Sequence, residues 1–317
     1  MSGLYRRQLP QLDGSLFITD GGIETSLIFS DGLELPHFAA IDLFRRPEGE
    51  SALRRYFNAY AAIAAHFASG LVLESATWRA SADWGDRLGW RRGELNEANR
   101  AAVRLLERIR AAYPWLRTVV SGCVGPRGDG YQPTALMSVG EAARYHGEQI
   151  RIFADTSADM VSAITMNYVE EALGITLAAG EAGMPVAISF TVETDGRLPT
   201  GQPLGEAIEQ VDRVSGGYPA YYMLNCAHPD HFRQVLAQPW SSRIRGLRAN
   251  ASRQSHAELN EATTLDSGNP AELGAQYASL RSRALPALNV VGGCCGTDHR
   301  HVEKIAAACA PLFRLAA

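Results

Sequence analysis

The sequence predicts an α/β fold, a (β/α)8 barrel of the TIM type, built as a single domain over residues 1–317. Short apolar runs rich in β-branched residues alternate with longer amphipathic stretches, which indicates parallel strands joined by helical crossovers. Eight such units follow one another, and no Pro-, Gly- or Ser-rich linker divides them. Eight βα units of this size favour a closed barrel. A doubly wound open sheet is the alternative.

The predicted strands are short and apolar, and a plausible helix follows each of them. They span residues 16–19, 71–74, 118–121, 160–165, 186–191, 220–224, 244–248 and 289–291. Helical spacing of apolar residues predicts helices at 96–112, 139–156, 269–284 and 300–312. The first of these carries Val103, Leu106 and Ile109 on one face, and Pro114 ends it.

The composition narrows the class of protein. The chain has a net charge of −4 and a pI near 6.1. It therefore lacks the excess of basic residues typical of a nucleic-acid-binding protein, and no nucleic-acid partner is expected. Residues 1–14 resemble no signal peptide, and no apolar run approaches the roughly 18 residues of a membrane span. We therefore expect a cytoplasmic protein without a membrane partner. Five cysteines in such a chain indicate reduced thiols with a metal-binding or catalytic use.

Lysine is almost missing, because Lys304 is the only one in the chain. No lysine therefore stands at a strand end to form a Schiff base, and no Gly-Lys-Ser/Thr of a phosphate loop is present. No Gly-x-Gly-x-x-Gly follows a predicted strand, which leaves a dinucleotide site without support.

Polar or unusual residues follow most of the predicted strands. Because the strand ends of a barrel meet at one mouth, we expect these residues to converge there. They include Asp20-Gly21-Gly22, Ser75-Ala76-Thr77-Trp78, Gly122-Cys123-Val124-Gly125-Pro126, Asn225-Cys226, Asn250 and the pair Cys294-Cys295.

Three of the cysteines are candidate metal ligands: Cys226, Cys294 and Cys295. Zinc binds four ligands in a tetrahedron, so three thiolates leave the fourth position for a water or a substrate, as in catalytic sites. Adjacent residues of a strand point to opposite faces, so the vicinal pair requires a turn. Gly292, Gly293 and Gly296 permit that turn.

The alternative is that these cysteines are small buried hydrophobic residues. We interpret the remaining two, Cys123 and Cys309, in that way. His228 and His231 lie just beyond Cys226 at the start of a predicted helix, and we assign them to capping or surface roles rather than to the metal.

The series Asp20-Gly21-Gly22, Gly122-Cys123-Val124-Gly125-Pro126, Ile188-Ser189-Phe190, Thr200-Gly201, Asn225-Cys226 and Gly292-Gly293-Cys294-Cys295-Gly296-Thr297 resembles the motifs of the zinc-dependent homocysteine S-methyltransferases. The motifs occur in the order of that family and cover almost the whole chain. The resemblance implies a (β/α)8 barrel and a catalytic Zn²⁺ held by Cys226, Cys294 and Cys295. It implies methyl transfer from a small-molecule donor to a small-molecule thiol acceptor, most simply homocysteine, giving methionine.

The resemblance also suggests substrate-binding residues. Asp20 would accept the ammonium group of the substrate, and the amides of Gly21 and Gly22 would receive its carboxylate. A turn aspartate that bonds its own backbone is the alternative for Asp20. Asn225 would orient the neighbouring metal ligand or the substrate.

Trp78 at the end of the second strand has two interpretations. Its ring offers a face to a cationic methyl donor, or it covers the barrel core. Thr165 and Asn250, at the ends of the fourth and seventh strands, complete the candidate substrate-binding set.

Two positions depart from the family pattern. Ile164 stands where the family has a glutamate that contacts the amino group of homocysteine, and Arg79 replaces a glutamine. One interpretation is an acceptor that is more acidic or less cationic than homocysteine. The other is that Asp20, Glu24 or Glu74 holds the amino group instead.

The donor is expected to be S-methylmethionine or S-adenosylmethionine. The chain ends soon after the eighth unit, which leaves no room for folate or cobalamin modules, and it resembles the short enzymes of the family. A separate corrinoid protein as methyl carrier is an alternative partner. Rival functions are a zinc hydrolase, disfavoured by three thiolate ligands, and a non-enzymatic redox or zinc sensor that uses the vicinal cysteines as a switch.

Overall fold

The computed structural model describes residues 3–133 and 136–314. Eight parallel strands form a closed barrel in chain order, with β1 paired to both β2 and β8. This confirms the predicted barrel and excludes the doubly wound sheet. Of the predicted domain 1–317, residues 1–2, 134–135 and 315–317 lie outside the described part. The strands are β1 Phe17–Ile18, β2 Gly70–Glu74, β3 Thr118–Val124, β4 Met160–Met166, β5 Val186–Phe190, β6 Tyr221–Asn225, β7 Ile244–Ala249 and β8 Val290–Gly293.

Helices follow all eight strands. They are α1 Ile23–Thr25, α2 Gly49–Phe67, α3 Ala82–Arg87, α4 Arg92–Ala112, α5 Val139–Ala154, α6 Val169–Glu181, α7 Leu204–Ser215, α8 Pro229–Phe232, α9 His256–Glu261, α10 Pro270–Arg283, α11 His299–Cys309 and α12 Pro311–Arg314. A π-helical turn spans Ser26–Ser30, and 3₁₀ turns span Pro10–Asp13, Pro36–Phe38, Ala40–Arg45, Arg233–Val235 and Pro239–Arg243.

Two helix predictions differ from the structure at their ends. The helix expected at 96–112 begins at Arg92, where the Glu94 carboxylate accepts a hydrogen bond from the N–H of the N-cap residue Arg91 at 3.3 Å. The helix expected at 300–312 is divided into α11 and α12, since Pro311 has no N–H to continue the hydrogen-bond ladder.

The barrel interior has an apolar layer below a polar layer. The apolar layer forms one buried cluster with Leu9, and its strand residues are Phe17, Val72, Val119, Met160, Ala187, Tyr221, Met223 and Val290. Residues two positions further along a strand share its face, so polar side chains stand above this layer. The polar layer comprises Glu74, Ser121, Ser162, Ser189, Asn225 and Arg248. A larger apolar cluster fills the space between the strands and the helices.

The N-terminal segment 3–13, which we call the plug, closes the lower end of the barrel. Gln11 Nε2 lies 3.2 Å from Met160 Sδ. Asp159 has a fully buried side chain, accepts hydrogen bonds from the N–H groups of Tyr5 and Val120, and pairs with Arg110 at 2.8 Å. A functional site is therefore expected at the opposite end of the barrel, where the strands have their carboxyl ends. No helix in the described ranges is long and apolar enough to cross a bilayer.

Candidate active site

A cavity of about 450 Å³ opens at the carboxyl ends of the strands. Residues from several strand ends meet in its wall, as the barrel prediction requires. Nine of the predicted site residues line it: Asp20, Gly21, Gly22, Trp78, Thr165, Cys226, Asn250, Cys294 and Cys295. Asn225 is the exception among the predicted substrate-binding residues, because it is fully buried below the cavity wall.

The three predicted cysteines form a cluster in this wall. Their sulfur atoms lie within 4.8 Å of one another, and within the described residues this group includes no histidine or carboxylate. Cys226 and Cys294 are paired closely enough for a disulfide, while Cys295 is unpaired. The thiol of Cys295 has its pKa raised to about 11 by burial, so it remains protonated at neutral pH without a nearby cation.

Cys226 follows β6 in a left-handed conformation, with φ of 53°. Such a conformation is unfavourable for a residue with a Cβ, so the surrounding bonds must hold it. The Cys226 carbonyl accepts hydrogen bonds from Asn250 Nδ2 at 3.0 Å and from His256 Nε2 at 2.7 Å. These contacts turn the cysteine side chain toward the cavity. Asn250 thus supports a member of the cluster in addition to lining the wall.

A tight turn brings the vicinal cysteines together. Thr297 N donates to the Cys294 carbonyl at 3.0 Å, and Gly296 has φ of 78°, which a type II turn requires at its third residue. The expectation that Gly292 and Gly293 also shape this turn by unusual backbone angles is wrong. They end β8, and a Cβ on either would collide with Thr19 or Thr297, so their role is close packing.

Each sulfur atom of the cluster has one hydrogen-bond donor nearby. Thr165 Oγ1 lies 3.8 Å from the sulfur of Cys226, Asn225 Nδ2 lies 3.9 Å from that of Cys294, and the Tyr131 hydroxyl lies 3.8 Å from that of Cys295. Donors at these positions favour thiolates over thiols. We call Thr165, Asn225 and Tyr131 the sulfur-donor set.

The amide of Asn225 is fixed at both ends. Its Oδ1 accepts from Thr165 N at 2.9 Å and from Ser189 Oγ at 2.6 Å, and its Nδ2 donates to Thr165 Oγ1 at 2.8 Å. Thr165 itself has φ of 66°. Asn225 therefore has a fixed orientation below the wall, with its Nδ2 3.9 Å from the sulfur of Cys294. Its role in orienting a ligand or the substrate stays a prediction.

Asp20 already has a cationic partner in the protein. Its carboxylate pairs with Arg248 of β7 at 2.6 Å and accepts from the Tyr56 hydroxyl at 3.0 Å. The amide of Gly22, expected to be open to a substrate carboxylate, instead donates to the Thr297 carbonyl at 3.0 Å. That expectation is wrong for Gly22, because the chain approaches the cysteine turn there.

Trp78 lines the cavity and is half-buried. Its Nε1 donates to the Ile164 carbonyl at 3.1 Å. The Arg79 guanidinium lies 4.8 Å from the centre of the Trp78 ring and 4.1 Å from that of Trp84. Arg79 also approaches Asp129 at 3.8 Å. The protein thus supplies a cation of its own to Trp78.

The other cysteines and histidines mostly follow the predictions. Cys123 and Cys309 are buried, although Cys123 also reaches the cavity wall. His228 caps α8 by accepting from Asp230 N at 3.2 Å. His231 is not a surface residue as expected: it is buried, with Nε2 2.9 Å from the Arg253 carbonyl.

Two residues of the site, Arg248 and Tyr131, were not predicted from the sequence. Arg248 was predicted only as a strand residue, yet alternation along β7 directs it into the barrel interior. Tyr131 lies in the loop after β3, where no motif marks it, and stacks on His256 with ring centres 3.9 Å apart. The signal available for Arg248 was a charged residue near the carboxyl end of a predicted strand, although β7 carries a second arginine, Arg245.

The closed barrel and the cluster of three thiols at its mouth define the class of protein, an enzyme with its site at the strand ends. More particularly, the chain belongs to the homocysteine S-methyltransferase family, whose sequence model matches residues 17–309, and it is a thiol methyltransferase. The family resemblance noted in the sequence is thereby confirmed.

Solved structures of the homocysteine methyltransferase MmuM from Escherichia coli are similar in fold. The metallated form has a TM-score of 0.72 at 17% identity, with 95% of this chain and 98% of that chain covered. The oxidized form has a TM-score of 0.72 at 19% identity, and the apo form 0.63 at 16%. The comparisons with the oxidized and apo forms each cover 96% of this chain and 98% of the MmuM chain. At such identities the likeness shows the shared fold.

Proposed function

We propose that this enzyme is a zinc-dependent methyltransferase that moves a methyl group from a small sulfonium compound, S-methylmethionine or S-adenosylmethionine, to the thiol of homocysteine, giving methionine. The observation that carries the proposal is the cluster of Cys226, Cys294 and Cys295 in the cavity wall. Membership in the homocysteine S-methyltransferase family supports it.

The donor set fits a zinc ion. Tetrahedral Zn–S bonds of about 2.3 Å place ligand sulfurs about 3.8 Å apart. The three sulfurs lie within 4.8 Å of one another, and Cys226 and Cys294, which are close enough for a disulfide, would have to be reduced and move apart to hold the ion. Soft thiolate ligands favour zinc over magnesium or calcium. A zinc ion held by these three thiolates would have one position left for the acceptor sulfur. The description of a related structure as metallated is consistent with this assignment.

The acceptor thiol needs to lose its proton before it can attack. An alkyl thiol with a pKa near 8.5 is only about 3% ionised at pH 7. Zinc, when bound, would supply the positive charge that lowers the pKa of the acceptor thiol and keeps it ionised. The sulfur-donor set would balance the negative charge of the three protein thiolates.

The transfer itself is a displacement at carbon. The acceptor sulfur supplies the electron pair of the new S–CH₃ bond, and the pair of the breaking bond stays with the donor sulfur, which leaves as a neutral thioether. The acceptor proton passes to solvent. The protein forms no covalent bond in this scheme, so positioning of the two substrates in the cavity supplies the acceleration.

Zinc content and methyl transfer test the proposal together. We expect about one zinc per chain after purification under reducing, chelator-free conditions, and methionine formation from homocysteine with one of the two donors. Substitutions C226S, C294S and C295S should each lower zinc content and activity by more than tenfold, while C309A should retain both. No zinc after reconstitution would overturn the mechanism. Zinc binding without transfer from either donor would instead favour a corrinoid carrier.

A further inference from the structure

Five acidic residues line the cavity, and four of them have charged or hydrogen-bonding partners in the protein. Asp20 pairs with Arg248 at 2.6 Å. Glu74 lies in the polar layer of the barrel, buried beside the positive charge of Arg248 and the hydroxyls of Ser162 and Ser121. Neither carboxylate is therefore available to a cationic group in the cavity.

The two acidic residues on the loops are held by the protein as well. Asp129 accepts from Tyr131 N at 2.9 Å and approaches Arg79. Asp266 accepts from Ser252 Oγ at 2.6 Å and from Gly268 N at 3.0 Å, and these bonds lower its pKa. Both carboxylates serve to shape the loops around the mouth.

Glu24 differs from these four. The residue belongs to the cavity wall and is only 9% exposed. Across residues 3–133 and 136–314, its carboxylate has no ion pair within 4 Å and no side-chain hydrogen-bond donor; its one neighbouring donor is its own backbone N–H. A buried carboxylate without a partner is unfavourable unless a ligand supplies one. Glu24 is thus a buried carboxylate of the cavity wall that lacks a partner among the described residues.

The residues beside Glu24 place it next to the vicinal cysteines. The Gly22 backbone packs so closely on the Cys294 carbonyl that a Cβ would collide with it, and Thr25 Oγ1 accepts from Gly296 N at 3.2 Å. Glu24 lies between these two contacts in the chain. Burial is the main cause of the raised pKa of Cys295, and the charge of Glu24 adds to it.

We propose that Glu24 binds the α-ammonium group of the amino-acid acceptor while the thiol of that acceptor lies at the cysteine cluster. This rests on the proposed function, and it assigns the amino-group role to one of the three carboxylates that the sequence left as alternatives. It favours homocysteine over a more acidic acceptor, since a second carboxylate near Glu24 would be repelled.

The electrostatics of the cavity agree with this role. Burial raises the pKa of Glu24 to about 7, while the positive charges of Arg79 and Arg248 act in the opposite direction. An ammonium group beside Glu24 would favour its ionised form further. The sulfonium donors also carry an α-ammonium group, so the test must separate the two substrates.

The test compares E24Q and E24D with the wild type, and with E209Q as a control that removes an exposed carboxylate from α7. Zinc-loaded protein is titrated calorimetrically with homocysteine and with 4-mercaptobutanoate, which is homocysteine without its amine. The KM values for acceptor and donor are measured beside these affinities. Far-UV circular dichroism and zinc content verify that each variant is folded and loaded.

We expect E24Q to weaken homocysteine binding at least tenfold, to leave 4-mercaptobutanoate unchanged, and to leave the donor KM unchanged. E24D should recover part of the loss, and E209Q should match the wild type. An equal effect on both thiols, no effect on either, or a loss confined to the donor would overturn the assignment. A wild type that binds neither thiol would contradict the proposed function itself, and the assignment with it.

Discussion

Tyr131 reaches the cysteine cluster from a loop, with its hydroxyl 3.8 Å from the sulfur of Cys295. For the zinc site proposed at Cys226, Cys294 and Cys295, we predict that Y131F binds zinc about tenfold more weakly than the wild type, because loss of a hydrogen bond to a metal ligand typically weakens binding by about 10- to 100-fold. Competition with a chromogenic chelator measures the affinity. Y218F is the matched control, since the Tyr218 hydroxyl bonds the Met184 carbonyl away from the site. An equal loss in both variants would contradict the role given to Tyr131.

Glu24 also makes the stability of the metal-free protein depend on pH. Its pKa is raised from 4.5 to about 7 in the fold, so the folded state binds this proton more tightly than the unfolded state does. The free energy of unfolding should therefore fall as pH rises from about 4.5 to 7. Between pH 5 and pH 8 the wild type should lose about 2 kcal/mol more than E24Q, by linkage. Urea titrations at both pH values measure this, and identical slopes would disprove it.

The residues that the sequence revealed are those whose chemistry is local. Cys294 and Cys295 stand out because a vicinal pair between glycines is unusual in any context. The partners of Asp20 could not be predicted, because Arg248 comes from the opposite part of the chain and only barrel closure brings the two together. The same holds for Gly22, whose amide is engaged by Thr297.

At the scale of single elements, α11 begins directly after the cysteine turn and is capped by Asp298. Its carboxylate accepts from Arg300 N at 2.9 Å. We predict that D298A loses about 1 kcal/mol of stability, the usual effect of removing an N-cap. Chemical denaturation measures the loss, and D298N, which keeps an acceptor, should lose less.

The loss in D298A should depend on pH. Although partial burial opposes it, hydrogen bonds from His301 and Arg300 hold the pKa of Asp298 well below its usual range. The stability that this lowered pKa contributes is present above pH 4 and is lost as the pH falls through the acidic range. The difference between wild type and D298A should therefore shrink between pH 5 and pH 3. A difference that grows on acidification would contradict this account.

Strands and helices were largely predictable, because alternation and helical spacing are local patterns. The end of β8, however, could not be predicted from such patterns. The prediction stopped at residue 291, but the strand continues to Gly293, because Gly292 and Gly293 pair with β7 while packing against neighbouring side chains. Glycine in a sequence indicates a turn more often than a strand. The extension of β8 through Gly292 and Gly293 depends instead on packing contacts that the sequence does not show.

For the whole molecule, the lower end of the barrel is held by a buried ion pair. We predict that D159A destabilises the protein by about 3 kcal/mol, because Arg110 would lose its buried partner. The N–H groups of Tyr5 and Val120 would lose their acceptor as well. Thermal and urea unfolding measure the loss. The KM for both substrates, measured below the unfolding transition, should stay at the wild-type value, and a changed KM would refute this separation.

The plug has a practical consequence for engineering. It completes the apolar layer at one end of the barrel, and the loops that bear the cavity lie at the other end. Substitutions that strengthen residues 3–13 and their contacts would give a more robust scaffold without touching the mouth. Mutational libraries aimed at new thiol acceptors could then tolerate destabilising changes around Glu24, Trp78 and Arg79.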